Sequence, residues 1–153
     1  MKKSLCVLLL LSALSLCASA QPKSFGLRMG PGLEISYQHI VNTKQFVEFD
    51  AGVLGYSEYP GFRLSASYDF NILRTSLFKG DVTMFIGPGL SLGMYDKSFF
   101  TAGFLIQYGL SYDFPRAPLS LAVDTRPCLW INEDGVSMRF KSMMPMFSVR
   151  WKF

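Results

Sequence analysis

The segment G-F-R-L-S-A-S-Y-D-F-N-I, residues 61–72, alternates without a break. In an extended chain it places Phe62, Leu64, Ala66, Tyr68, Phe70 and Ile72 on one face and Arg63, Ser65, Ser67, Asp69 and Asn71 on the other. Five successive polar side chains do not fit a dry sandwich core, and that many large apolar ones cannot all face water. The pattern is that of a barrel wall, with one side to lipid and the other to a polar interior.

The same period of two runs through most of the chain. Residues 25–37 set Phe25, Leu27, Met29, Pro31, Leu33, Ile35 and Tyr37 against Gly26, Arg28, Gly30, Gly32, Glu34 and Ser36. They read either as one long strand or as two short ones around Gly30-Pro31-Gly32. A three-residue loop there sets Leu27 opposite Ile35, Phe25 opposite Tyr37 and Arg28 opposite Glu34, and so preserves the faces. Further strands are expected over 45–56, 81–95, 100–114 and 119–131, and a closing strand to Phe153. Turns are expected over 39–44, 57–60, 73–80, 96–98 and 115–118, with the longest connection over 132–141. Tyr37, Tyr56, Tyr95, Tyr112, Trp130 and Trp151 fall near strand ends, as interfacial aromatic girdles do.

The first twenty residues combine Lys2 and Lys3, an apolar run from Cys6 to Leu16, and Ala18-Ser19-Ala20, the three zones of a secretory signal peptide. Cleavage after Ala20, with Ala18 and Ala20 as the small recognition residues, leaves one domain, residues 21–153. Lipoprotein processing at Cys17 is disfavoured by Leu16, which stands where a small residue is expected. Without the leader the charge falls to +2, 13 basic against 11 acidic residues, with no clustered basic face for nucleic acid. Cys128 is left alone, so no internal disulfide is expected.

Outer-membrane barrels have an even number of strands because both termini lie in the periplasm. Counting back from a last strand descending to Phe153, the hairpin at 30–32 is needed to reach an even number. The expected fold is therefore all-β, an antiparallel up-and-down transmembrane β-barrel of eight strands. A lipocalin-like soluble barrel has the opposite sense, with its apolar residues inside. The leader, Phe153 and the large apolar face favour the membrane version.

The whole chain after the leader resembles the small eight-stranded outer-membrane barrels similar to OmpX and the membrane domain of OmpA, in particular the short barrel-domain proteins of Bacteroidetes-type bacteria. The resemblance is carried by G-L-R-M-G-P-G-L-E-I-S-Y-Q-H, by I-G-P-G-L-S-L-G, by Y-D-F and L-S-L-A-V-D-T-R-P about a short turn, and by the final S-V-R-W-K-F. It implies the outer membrane of a Gram-negative bacterium as location, and outer-membrane lipid and the barrel assembly machinery as partners. It also implies that Phe147, Val149, Trp151 and Phe153 form the assembly signal. The expected outward loops, except 132–141, are far shorter than those that OmpX-like proteins expose, which argues against adhesion.

The inward residues include five bases and five acids: Arg28, Glu34, Glu48, Asp50, Arg63, Asp69, Asp124, Arg126, Arg150 and Lys152. An eight-stranded interior is just wide enough for side chains to fill, and ions confined there have to pair. The expected role is structural or interaction-based, in a monomer with a plugged lumen, no catalysis and no cofactor. An OmpW-like conduit for small hydrophobic molecules is the alternative, and needs an apolar lumen. The third reading is a lipid A enzyme of PagL-like or PagP-like type, for which His39, the sole histidine, with Ser36 and Thr43 nearby, is the candidate set. One cysteine and one histidine after the leader do not make a zinc site, and Cys128 reads as a packing residue.

Overall fold

The computed structural model describes residues 22–54, 61–95, 98–132, 135–138 and 143–153. The expected signal peptide with Ala18 and Ala20, Tyr56 of the expected girdle and the 57–60 connection lie outside the described residues. Among the described residues there are ten strands: β1 (Lys23–Met29), β2 (Gly32–Asn42), β3 (Gln45–Leu54), β4 (Gly61–Leu77), β5 (Gly80–Tyr95), β6 (Ser98–Asp113), β7 (Leu119–Thr125), β8 (Cys128–Asn132), β9 (Gly135–Met138) and β10 (Met146–Lys152). They form one antiparallel sheet in the order β5-β4-β3-β2-β1-β10-β7-β6-β8-β9, and pairing of β5 with β6 closes it.

Both β7 and β8 lie along β6 in a single register, with Tyr108 opposite Thr125 and Leu105 opposite Cys128. They are two halves of one stave broken at Arg126-Pro127, where the proline has no N–H to give the ladder. The Pro127 carbonyl still accepts from the Ile106 N–H at 3.2 Å. Similarly, β9 pairs with β8 and β10 with β7, which makes the last stave. Ten elements thus build the closed, eight-stranded, up-and-down barrel that the alternation implied.

Residues 25–38 form a hairpin and not one strand. Leu27 faces Ile35, Phe25 faces Tyr37 and Arg28 faces Glu34, and the Gly30 N–H donates to the Gly32 carbonyl at 3.0 Å across the loop. With that register fixed, β10 docks on the free edge of β1, Leu27 opposite Val149.

The apolar faces point outward. Phe49 is 50 % exposed, Leu64 46 % and Phe104 60 %, whereas Arg28 and Glu48 are 0 % exposed. This is the reverse of a barrel that holds its apolar residues inside. Trp130 departs from the expected girdle: it is buried in the lumen against Cys128 and Leu105, because it lies on the inward face of β8.

Two expected turns are shorter than the sequence suggested. β2 continues to Asn42, so His39 is a strand residue paired with Val47, and the β-branched Ile40-Val41 keeps the chain extended. The bend comes at Thr43-Lys44, where the Asn42 side-chain oxygen accepts from the Lys44 N–H at 2.8 Å. β4 likewise runs to Leu77. A bulge between Asn71 and Leu73 shifts the register there, so the broken alternation at Ile72-Leu73 marks an extra residue and not a turn.

The β4–β5 turn is Phe78-Lys79, with φ of 52° and 68°. A two-residue type I′ hairpin needs positive φ at both positions, and asparagine and glycine meet that need with the least strain. Replacing the pair by Asn-Gly (F78N/K79G) is expected to stabilise the barrel by about 1 kcal/mol, read from the urea unfolding midpoint. An unchanged midpoint would mean that the turn carries no strain.

Candidate functional site

The inward face of each stave is polar at mid-height, and barrel closure brings these faces together. Glu48 on β3 is the hub. Its Oε1 accepts from Arg150 Nη2 at 2.5 Å, Arg126 Nη2 at 2.7 Å and Ser36 Oγ at 3.2 Å. Its Oε2 accepts from Gln38 Nε2 at 3.0 Å and Gln107 Nε2 at 3.3 Å, and Arg28 Nε lies 3.7 Å from Oε1.

A second centre forms at Glu34 on β2. Arg28 Nη1 donates to Oε2 at 2.6 Å, while Arg63 Nε and Nη2 donate to Oε1 at 2.8 and 2.5 Å. Arg63 stands two staves away from Glu34, on β4, and it reaches across because the residue between them in the ladder is Gly52. A Cβ on Gly52 would lie 2.7 Å from Glu34 Cγ and would overlap the Leu33 carbonyl.

Arg126 joins the centres from the break in the β7–β8 stave. Its Nη1 donates to Asp50 Oδ2 at 2.5 Å and to Ser65 Oγ at 3.0 Å, in addition to its bond to Glu48. Arg28 Nη2 donates to Asp124 Oδ1, which ties β1 to β7. Four arginines and four of the carboxylates therefore form one continuous cluster, linking residues as far apart in sequence as Ser36 and Arg150.

Burial makes this arrangement all-or-none. Removing two ions from water costs several kcal/mol each, and only good geometry with further hydrogen bonds offsets that. Most cluster atoms meet the condition; Arg28 Nε, Arg126 Nε, Asp50 Oδ1 and Asp124 Oδ2 are the cluster atoms without a hydrogen-bond partner. Three of these still lie within 4 Å of an opposite charge: Arg28 Nε by Glu48, Arg126 Nε by Asp124 and Asp50 Oδ1 by Arg28.

Two of the ten expected charges stand apart. Lys152 is partly exposed and pairs with Asp113 at 2.5 Å at the barrel mouth, outside the central cluster. Its place at the end of β10 sets it too far along the strand to reach Glu48. Asp69 is fully buried but has no ion pair among the described residues, and Ser67 Oγ lies 2.6 Å from its Oδ2.

Neutral partners are the residues that a reading of charge alone omits. Ser36, Gln38, Ser65 and Gln107 complete the coordination of the ions, and their signal in the sequence is inward parity beside a charged neighbour.

The lumen is layered along its axis. On one side of the ions lie Leu105, Cys128 and Trp130. On the other, Phe46 and Phe85 meet edge to face, with centroids 5.4 Å apart. Beyond that pair opens a mouth of about 460 Å³, lined by Gln38, Asn71, Thr83, Ser120 and Lys152 among others. Side chains thus fill the described middle of the lumen.

The catalytic candidates do not converge. Ser36 faces inward and is engaged with Glu48 and Arg150, whereas His39, three positions on, has outward parity, and Thr43 lies in the β2–β3 turn. Among the described residues no group of histidine, cysteine, aspartate and glutamate is placed to hold a metal ion, and Cys128 is buried against Gly103 and Trp130. No family model, curated protein or solved structure matches this chain.

Proposed function

We propose that the protein is a small integral outer-membrane barrel of a Gram-negative bacterium, with a structural or interaction role and no catalysis. The observation that carries this reading is the pairing of a continuous outward apolar wall with an inward face closed by ion pairs. Such a wall would lie against lipid, which rewards apolar contact and requires every backbone polar group to be satisfied within the barrel. Export by a signal peptide, insertion by the barrel assembly machinery through Phe147, Val149, Trp151 and Phe153, and a monomeric state belong to the same proposal. So does the likeness to OmpX-like and OmpA-like barrels.

A plugged lumen and a conduit differ in conductance. In planar bilayers the purified protein is expected to give no sustained single-channel currents; stable open-channel steps would overturn the plug. A conduit for hydrophobic molecules would need an apolar lumen, and the buried arginines and carboxylates argue against it.

The lipid contact has its own test. Leu64 is 46 % exposed on the outward apolar face. Leu64→Arg is expected to destabilise the bilayer-inserted barrel by up to about 2–4 kcal/mol, the depth-dependent cost of a basic side chain on the lipid face. Urea unfolding from lipid vesicles measures it. A neutral result would place Leu64 outside the apolar band and count against the membrane reading.

A further inference from the structure

One buried carboxylate of the lumen stands outside the ion pairs that join the others. Among the described residues the lumen holds Arg28, Arg63, Arg126 and Arg150 together with Glu34, Glu48, Asp50, Asp69 and Asp124, all nearly inaccessible. Glu34, Glu48, Asp50 and Asp124 are each within reach of an arginine, whereas Asp69 has no ion pair among the described residues and its Oδ1 is buried without a hydrogen-bond partner.

Hydrogen-bond accounting around Asp69 decides the form of this carboxyl. Ser67 Oγ lies 2.6 Å from Asp69 Oδ2 and 2.7 Å from Gln107 Oε1. Both separations are those of O–H···O hydrogen bonds, so each contact needs a hydrogen between its oxygens. A serine hydroxyl carries only one. If Asp69 were a carboxylate, one of the two contacts would set lone pair against lone pair in a site closed to water, which costs as much as an unmade buried bond.

Turning the Gln107 amide would supply a second hydrogen to Ser67, but it would aim the amide oxygen at Glu48 Oε2, where Nε2 now donates at 3.3 Å. Glu48 is held as an anion by its arginines, so that orientation is repulsive. A metal cation fits no better. Oxygens 2.6–2.7 Å apart are already joined by hydrogen bonds, and on the Oδ1 side the Gly87 backbone is so close that even a methyl group there would lie 2.7 Å from that atom.

We infer that the lumen binds one proton at Asp69. The carboxylic acid donates through Oδ2 to Ser67, Ser67 donates to Gln107, and Gln107 donates to Glu48, a one-directional chain ending on the hub of the ion cluster. The surroundings agree. β5 presents only Gly87 to this side chain and β6 the neutral Gln107, while the charged groups that face it are Glu48 on β3, Asp124 on β7 and Arg126 beyond it. Two of those three are acids, and Arg126, the cation among them, is bound to Glu48 and Asp50. This inference concerns the interior alone and holds wherever the barrel sits.

Infrared difference spectroscopy of the folded full-length chain at neutral pH tests it. The spectrum of the wild type minus Asp69→Asn is expected to contain the C=O stretch of a protonated carboxylic acid that moves down in D2O. A difference confined to carboxylate stretches overturns the inference, whether the cause is a turned Gln107 or a bound metal cation. Asn is an isostere of the acid and can donate to Ser67, so this variant is expected to fold. As a second variant, Ser67→Ala removes the acceptor and is expected to shift the acid band to higher frequency; an unmoved band would break the chain at its first link.

Discussion

Glu48→Ala is expected to lower the unfolding free energy by about 3–5 kcal/mol, the cost of leaving buried charges without their counter-ion. The side chain receives hydrogen bonds from Arg126 and Arg150 and lies 3.7 Å from Arg28, so its loss leaves three guanidinium groups short of one carboxylate. Urea unfolding in detergent or lipid measures the change. The contrast is Asp81→Asn, which removes the exposed Arg74–Asp81 pair and is expected to cost less than about 1 kcal/mol. Equal losses at the two sites would show that the buried cluster is no more than a set of surface-like pairs.

Gly52→Val is expected to prevent assembly or to destabilise the barrel by about 3 kcal/mol or more, at or beyond the usual range for overpacking. The first added carbon would lie 2.5 Å from Glu34 Cα, and backbone cannot step aside as a side-chain tip can. The valine branch would also occupy the passage by which Arg63 reaches Glu34. Folded yield after refolding, followed by unfolding of whatever inserts, gives the result. A variant of normal stability would mean that Arg63 has another route to its partner.

Much of this molecule is legible in its sequence because the strand period fixes which way each side chain points. From that alone Arg28, Glu34, Glu48, Asp50, Arg63, Asp69, Asp124, Arg126 and Arg150 are assigned to the interior, where the structure buries them. The β1–β2 register also follows, since parity and a three-residue loop leave one pairing.

Alternation says nothing of height around the barrel, however. That Arg126 meets Glu48, 78 positions away, depends on the stagger of every stave between them. The stave break at Arg126-Pro127 is equally hidden, because Pro127 keeps the outward parity of an unbroken strand. The Phe78-Lys79 turn escapes notice for another reason: neither residue is a customary choice for positive φ. At Ile72 the bulge imitates a strand end, since one extra residue ends the alternation as a turn would.

The staves differ greatly in length. β1 has 7 residues and β4 has 17. At about 3.3 Å per residue and a tilt near 45°, β1 rises roughly 16 Å, well short of an apolar band about 25 Å tall. A bilayer around this barrel would have to thin beside the β1–β2 hairpin and relax to full thickness beside β4 and β5. The short side is also the closing seam, where β1 meets β10, so in a bilayer the local lipid thickness would act on the join between the two ends of the chain.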